Sequence, residues 1–353
     1  MLKETLTTLC TLDGVSSDEG AVRAWLKEKA LAAGATVRVD ALGNLICEKK
    51  GARPAVKPLM LCAHMDEVGL MVRRCTDEGF VKFDAVGGID RRVLIGKPVL
   101  VGPKKVPGVI GLQAIHLTTK AERDKVAKLE EFYIDIGAKS REEAETLVSP
   151  GDTCSFWADT LEFGDGLFKA KAIDDRLGCA ILCELLNEDQ PTDVTFVFTV
   201  QEEVGTRGAF GATFSVKPEA ALILEGTTAA DLPGVADHKK VCYVGKGPVI
   251  SQIDAATIYD RGLFEMLRNL AEENKIPWQT KELIAGGNDA KAVQRSREGV
   301  RVCALSAPVR YLHAPTSVVS LADCENMLKL ARLFVNAWAK RCLAEHQEGE
   351  SGR

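Results

Sequence analysis

The chain has 353 residues, of which 46% are hydrophobic and 27% charged, and its formal net charge is −5. These values are ordinary for a globular protein with one large domain or two smaller ones. They give no reason to expect nucleic-acid binding, and no apolar stretch approaches the roughly 18 residues of a membrane-spanning helix. The 11 cysteines include no CxxC pair, which favours buried free thiols and a cytoplasmic location.

The first part of the chain predicts a helix followed by three strands. Residues 16–34 combine an N-cap-like Ser-Ser-Asp with apolar residues at helical spacing and a glycine stop. Apolar stretches then predict strands at 36–40, 44–50 and 58–66. From about residue 70, glycine and proline interrupt short β-like pieces, and charged helices are expected at 121–137 and 140–152. This change indicates a separate β-rich module.

Strand–helix alternation resumes after residue 165. An amphipathic helix begins near Asp174, and further strands and helices are predicted at 192–200, 219–225, 246–254, 261–276, 300–310 and 320–346. This alternation predicts an α/β fold with a mixed, largely parallel sheet flanked by helices. We expect a discontinuous α/β domain formed by residues 1–69 and 166–347, with a β-rich domain inserted at 70–165. Residues 348–353 are expected to form a disordered tail.

Chemically active side chains coincide with the predicted ends of strands or the start of a helix. They are His64, Asp174, Asp175, Glu202, Glu203, Glu225 and His313. In open α/β sheets, ligands bind beyond the carboxyl ends of the strands, so we expect these side chains to converge. The other histidines, His116, His238 and His346, have no such position and are expected to be ordinary surface or core residues.

The residue types in this set are typical of a metal site. Zinc and similar divalent ions prefer mixed imidazole and carboxylate ligands. One ion would explain part of the set, and two ions sharing a bridging carboxylate would explain all of it. The adjacent Glu202 and Glu203 would then take different roles. Glu203 would bind metal, and Glu202 would stay free as a general base that takes a proton from water.

Four short motifs strengthen this interpretation. They are AHMDEVG at 63–69, AIDDRLGCA at 172–180, VQEEVGTRGA at 200–209 and RYLHAPTSVVS at 310–320. In this order and spacing they resemble the M42 family of metallo-aminopeptidases, the tetrahedral aminopeptidase group. Some members of that group are named glutamyl aminopeptidase or endoglucanase. The resemblance covers nearly the whole chain, including residues 130–152 and GGNDA at 286–290.

The resemblance implies a centre with two divalent ions, Zn²⁺ or Co²⁺. Asp174 would bridge the ions, one site would be completed by His64 and Glu225, and the other by Glu203 and His313. Asp66 would orient His64 by accepting its second ring N–H. The Asp174–Asp175 peptide bond would be cis. One departure is Glu225, where many relatives have aspartate, whose shorter side chain would place the metal differently.

The resemblance also implies an activity and an assembly. The expected reaction removes the amino-terminal residue from short peptides, with Glu202 as general base. The inserted domain would be a PDZ-like dimerisation domain, and the resulting homo-dimers would assemble into a dodecamer. Three alternatives stay open: a deacylase or carboxypeptidase on the same ions, a metal-free glycosidase using two carboxylates, and a non-enzymatic assembly protein. The glycosidase would leave the two strand-end histidines without a role.

Overall fold

The computed structural model describes the backbone of residues 1–351 and the side chains as far as residue 347. The α-helices in this part of the chain are α1 (Leu2–Thr11), α2 (Gly20–Ala32), α3 (Lys120–Arg123), α4 (Arg141–Leu147), α5 (Ile173–Leu186), α6 (Arg207–Val216), α7 (Arg261–Glu273), α8 (Ala290–Gln294) and α9 (Leu321–Ser351). Helix α9 therefore includes the start of the segment 348–353 that was expected to be a tail, and residues 352–353 lie outside the described residues.

The strands form two groups. Those of the large sheet are β1 (Thr36–Val39), β2 (Leu45–Lys49), β3 (Leu59–His64), β10 (Leu161–Phe163), β11 (Leu167–Ala170), β12 (Val194–Thr199), β13 (Ala220–Thr228), β14 (Val249–Ile250), β15 (Arg301–Arg310) and β16 (Ser317–Ser320). Those of the second group are β4 (Gly69–Cys75), β5 (Val81–Val86), β6 (Pro98–Val101), β7 (Val106–Gly111), β8 (Tyr133–Asp135) and β9 (Thr153–Phe156).

The large sheet is mixed, and its parallel part is confined to the centre. The strand order is β1-β2-β12-β3-β13-β15-β16-β11-β10, with β14 paired to β15. Strands β12, β3, β13 and β15 are parallel, whereas every other pairing in the sheet is antiparallel. The expectation of a largely parallel sheet is corrected accordingly. The short connections between β1 and β2 and between β10 and β11 allow only antiparallel pairing, because parallel neighbours need a long crossover.

Both faces of the central strands are covered by helices. Leu59, Leu61 and Ala63 of β3 point into a core shared with α1, α2, α5, α7 and α9. Met60 and Cys62 point into a second core, shared with α6 and α8. This explains why the strand is apolar at every position up to His64. In the described chain, none of the helices combines the length and the apolar character needed to cross a bilayer.

The second group of strands closes into an antiparallel barrel, in the order β4-β5-β8-β7-β6-β9. It has its own apolar core and corresponds to the inserted module. Strand β10 lies inside the expected range 70–165 but pairs with β11 in the large sheet. The charged helix expected at 121–137 is wrong beyond Arg123, because Phe132 and Ile134 are buried in the barrel core and Tyr133–Asp135 form strand β8.

Candidate metal centre

The parallel strands bring the expected side chains to one edge of the sheet. His64 is the last residue of β3 and is paired with Thr199, the last residue of β12. Glu225 lies on β13, and Glu203 follows β12 in a tight turn. His313 follows β15, and Asp174 lies in the first turn of α5. The convergence expected from the strand ends is therefore observed.

Asp174 lies at the centre of the group, between the two histidines. Its Oδ1 is 3.4 Å from Nε2 of His64, and its Oδ2 is 3.5 Å from Nε2 of His313. Nε2 of His64 is also 3.6 Å from Glu225 Oε2, and Nε2 of His313 is 3.2 Å from Glu203 Oε2. Each oxygen of one carboxylate thus faces a different imidazole–carboxylate pair.

The donor atoms fit a divalent cation. Ligand atoms of His64, Asp174 and Glu203 lie within 4.8 Å of one another, and so do those of His64, Asp175 and Glu225. Oδ1 of Asp174 and Oε1 of Glu225 are buried and accept no hydrogen bond from the described residues. Buried carboxylate oxygens without a donor are costly, and a metal ion is the partner that this set of nitrogen and oxygen ligands suits.

Asp175 is buried beside this group but serves the backbone. Its Oδ1 accepts the Gly178 N–H at 2.9 Å, and its Oδ2 accepts the His64 N–H at 3.2 Å. It therefore links the start of α5 to the end of β3, whereas the carboxylate of Asp174 points at the histidines. The peptide bond between the two residues is cis, as the family resemblance implies.

In each histidine ring, Nδ1 lies within hydrogen-bond distance of a backbone carbonyl oxygen. Nδ1 of His64 is 3.0 Å from the carbonyl oxygen of Asp66, and Nδ1 of His313 is 3.0 Å from the carbonyl oxygen of Gly88. Such contacts make Nδ1 the protonated nitrogen and leave Nε2 free to bind metal. The Asp66 carboxylate, expected to orient His64, is farther from Nδ1, at 3.5 Å.

The Asp66 carboxylate instead holds the turn that carries the two glutamates. Its Oδ1 accepts the Glu202 N–H at 3.0 Å, and its Oδ2 accepts the Glu203 N–H at 3.1 Å. The hydroxyl of Ser16 donates a further hydrogen bond to Oδ2 at 2.6 Å. Asp66 therefore connects His64, through its carbonyl, with Glu202 and Glu203, through its side chain.

Burial and mutual charge shift the titration of the ligand group. Burial raises the pKa of Glu203 to about 7 and that of Glu225 to about 8. Burial would lower the pKa of His313, but Asp174 and Glu203 outweigh it and raise that pKa to about 9. Burial would raise the pKa of Asp174, yet the two histidines hold it below its ordinary range. Without metal, therefore, protons occupy several of the ligand positions near pH 7.

Glu202 lies next to this group but outside both ligand sets. Burial raises the pKa of its carboxyl well above the ordinary value, against the opposing charge of His64. Glu225, Asp289 and Glu203 add to the increase. A carboxyl of raised pKa beside metal ligands is suited to accept and return protons.

Sequence reasoning missed one buried carboxylate beneath the ligands. Asp289 is fully buried, its Oδ2 accepts the Thr199 hydroxyl at 2.5 Å, and its Oδ1 accepts no hydrogen bond from the described chain. It precedes α8 and follows no strand, so the strand-end rule could not find it. The GGNDA motif was the only signal. His116, His238 and His346 are all exposed and take no part in the group.

Comparison with known proteins identifies the family of this chain. The family described as M42 glutamyl aminopeptidase matches residues 43–330. The chain is similar to a lysyl aminopeptidase of Pyrococcus furiosus, with 32% identity over 85% of this chain and 86% of the relative.

Two solved structures share the fold over nearly the full length of both chains. An aminopeptidase of the archaeon Desulfurococcus kamchatkensis has a TM-score of 0.90 and 33% identity, covering 97% of each chain. The Pyrococcus horikoshii TET1 peptidase, described as able to assemble into a tetrahedron or a large octahedral shell, has a TM-score of 0.84 and 34% identity. The match covers 95% of this chain and 99% of the TET1 peptidase chain. The protein belongs to the M42 family of peptidases.

Proposed function

We propose that this protein is a metal-dependent aminopeptidase that removes the amino-terminal residue from short peptides. The observation that carries the proposal is the arrangement around Asp174, where two imidazoles and two further carboxylates lie within 3.2–3.6 Å of their neighbours. These side chains come from distant parts of the chain. Family membership supports the same activity, since the relatives described above are named aminopeptidases.

Two divalent ions, Zn²⁺ or Co²⁺, would be held by five residues. Asp174 would bridge them, with His64 and Glu225 completing one site and Glu203 and His313 the other. The separate orientation of the two Asp174 oxygens supports the bridging role. When bound, the ions would make water more acidic and polarise the carbonyl of the scissile peptide. Glu225 reaches Nε2 of His64 at 3.6 Å, so the longer glutamate fits this position.

Glu202 would act as the general base and then as the general acid. Its carboxylate accepts a proton from the attacking water, and the protonated carboxyl returns that proton to the leaving amine. Asp66 keeps Glu202 in place by accepting its backbone N–H at 3.0 Å. The carboxylates of the site would also attract the free α-ammonium group of the substrate, which favours cleavage at the amino terminus.

The barrel would serve assembly. We infer that it is the PDZ-like dimerisation domain of the family and that homo-dimers build a dodecamer. The description of the Pyrococcus horikoshii relative as a tetrahedral or octahedral assembly supports this proposal. A cytoplasmic location is supported by the cysteines, all 11 of which are free and buried.

Aminoacyl chromogenic amides test the activity and separate the alternatives. The aminopeptidase should hydrolyse the free amino-terminal amide and not its acetyl-blocked form, and a chelator should abolish turnover. Release of acetate from the blocked amide would indicate a deacylase, and release of a carboxyl-terminal residue from a blocked dipeptide would indicate a carboxypeptidase. Chelator-resistant cleavage of a β-glucan would support the glycosidase. Failure to bind metal or cleave any of these substrates would leave the assembly protein.

A further inference from the structure

Four consecutive backbone N–H groups follow strand β12, and each of them donates to a side chain. They belong to residues 200–203, the glutamate turn, which ends in the two glutamates of the candidate metal centre. The acceptors, in chain order of the donors, are Asn44 Oδ1 at 3.0 Å, Glu19 Oε1 at 3.2 Å, Asp66 Oδ1 at 3.0 Å and Asp66 Oδ2 at 3.1 Å. Strand β12 has ended here and helix α6 has not begun, so side chains replace the usual backbone partners.

Gln201 has an unfavourable backbone conformation within this turn. Its φ is +56°, in the left-handed region that residues with a side chain rarely adopt. Its carbonyl oxygen accepts the Arg207 N–H at 3.1 Å, and its own N–H donates to Glu19. Because Gln201 directly precedes Glu202, a change in the Gln201 backbone would redirect the proposed general base.

Glu19 supplies its acceptor from the segment between α1 and α2. The residue is only 3% exposed, and its Oε1 accepts the N–H groups of Ser17 at 2.8 Å and of Gln201 at 3.2 Å. Ser17 also has a left-handed backbone, with φ +80°. One carboxylate oxygen therefore joins two residues whose backbone conformations are unfavourable without such support.

The position of Glu19 at the start of its own helix does not explain why its carboxylate is buried. Glu19 is the N-cap residue of α2, where an acidic side chain commonly accepts an N–H group from the first helical turn. The Glu19 side chain makes no such cap. A buried carboxylate is costly unless donors satisfy it, and its donors are the N–H groups of Ser17 and Gln201. The carboxylate therefore serves the glutamate turn and not the helix.

The segment that carries Glu19 is also fixed to the ligand end of β3. The Ser16 hydroxyl donates to Asp66 at 2.6 Å, and the Ser16 N–H donates to the Glu67 carbonyl at 3.2 Å. Asp66 lies two residues after His64, the last residue of β3. Glu19 and Asp66 are thus connected to each other as well as to the glutamate turn.

We infer that Glu19 is a positioning residue, which holds Gln201 in its left-handed conformation and so directs Glu202 and Glu203 into the metal centre. The inference rests on the proposed aminopeptidase function and adds a residue outside both ligand sets. Asp66 accepts the N–H groups of the two glutamates, whereas Glu19 holds the residue before them. Placement matters for the rate, because a displacement of about 1 Å can slow catalysis roughly 100-fold.

The test replaces Glu19 by methionine and by glutamine. Glu19→Met keeps the length of the side chain but offers no strong acceptor. With metal in excess, its kcat should fall about 10- to 100-fold while KM changes by less than about threefold. Glu19→Gln keeps a carbonyl oxygen for the two N–H groups, so its kcat should stay within about threefold of the wild type. The matched control is Asp193→Met, which should keep the wild-type kcat, because Asp193 accepts the Gly51 N–H at the opposite end of β12.

Hydrogen exchange in the metal-free protein gives a measurement that depends on neither activity nor metal. In the wild type the Gln201 amide should be protected, and exchange at the rate of an unstructured peptide would overturn the inference without any variant. In Glu19→Met the amides of residues 200–203 should exchange about tenfold faster, whereas those of β12 should keep their wild-type rates.

Several results with the variants would also overturn the inference. Wild-type kcat in Glu19→Met would do so, and so would unchanged exchange in the glutamate turn. Equal losses of kcat in Glu19→Met and Glu19→Gln would show that the charge of Glu19 matters and not its hydrogen bonds. Faster exchange throughout β12 would assign Glu19 to general stability. Failure of the wild-type enzyme to hydrolyse any amide would refute the proposed function, and the exchange rates would still decide whether Glu19 holds the turn.

Discussion

The two halves of the candidate metal centre are built differently. His64 and Glu225 belong to strands of the central sheet, and their side chains are only 1% and 4% exposed. His313 and Glu203 belong to loops, and the His313 side chain is 33% exposed. The loop half also depends on the barrel, because Gly88, which follows β5, supplies the carbonyl that holds His313. The strand half, His64 and Glu225, is thus fixed by the central sheet. In the loop half, His313 and Glu203, the histidine ring is partly exposed whereas the glutamate side chain is only 4% exposed.

Asp174 joins the two halves, so its loss should have the largest effect. Asp174→Asn keeps the shape of the side chain but removes the charge that both ions would share. We expect kcat/KM to fall about 10⁴-fold or more and bound metal, measured by elemental analysis, to decrease. Asp189→Asn is the control, since Asp189 is exposed at the far end of α5. Retention of both ions and activity by Asp174→Asn would contradict the bridging role.

Glu202→Gln should separate proton transfer from metal binding. Because Glu202 lies outside the ligand sets, the variant should keep its metal while kcat falls about 10²- to 10⁴-fold. Turnover assays and metal analysis on the same preparation make the measurement. A glutamine variant with a near-native rate would exclude Glu202 as the base.

Removing each histidine should distinguish the buried half from the exposed half. In metal-free protein, His64→Ala leaves the buried carboxylates of Asp174 and Glu225 without their cation and should lower the free energy of unfolding by about 2–4 kcal/mol. His313→Ala removes a partly exposed ring and should cost about 1 kcal/mol or less. Urea denaturation of both variants measures the difference. Equal losses would show that the two halves are equally fixed by the fold.

Metal affinity should depend on pH, because protons compete for the ligands. In the metal-free protein the pKa values of Glu203, Glu225 and His313 are raised to about 7, 8 and 9. His313 is already protonated at pH 8, and Glu203 and Glu225 gain protons as the pH falls from 8 to 6. A metal ion must displace these protons, so affinity should fall with pH, by about tenfold per pH unit for each proton displaced. Calorimetric titration in buffers of different ionisation enthalpy counts the protons. Binding without proton release would contradict the shifts.

Two adjacent glycines test the contact between the barrel and the loop half. Gly87 has φ +81°, and a Cβ placed there would lie 2.8 Å from a Val68 methyl and 3.3 Å from Cβ of Glu203. Gly87→Ala should displace Glu203 and lower kcat/KM about tenfold. A Cβ on Gly88 would meet Nδ1 of His313 at 3.6 Å, an ordinary contact, so Gly88→Ala should have a smaller effect. The reverse order would contradict the proposed coupling.

The sequence predicted the ligands His64 and Glu225 better than it predicted the residues that surround and orient the ligands. His64 and Glu225 followed from apolar strands buried on both faces, whose carboxyl ends must meet. Spacing alone could not separate Asp174 from Asp175, because both open the same helix and only the structure shows which carboxylate faces the histidines. It also could not show that Asp66 holds His64 through its carbonyl, since backbone contacts leave no mark on residue type.

The same distinction applies to the fold. Long strand–helix alternation identified the central parallel strands, which are continuous and apolar. The antiparallel part of the sheet includes β10 and β14, which have three and two residues. Strands this short give no periodic signal in the sequence. In the barrel, charged residues around Tyr133–Asp135 suggested a helix, but the burial of Ile134 favours a strand.

The number of ions that activity requires tests the proposed two-metal centre most directly. Metal-free protein is titrated with Zn²⁺ or Co²⁺ while bound metal and hydrolysis of a free amino-terminal amide are measured together. We expect no turnover without metal and full turnover only when both sites of the chain are filled. Full turnover in metal-free protein, or saturation at a single ion, would contradict the two-metal centre.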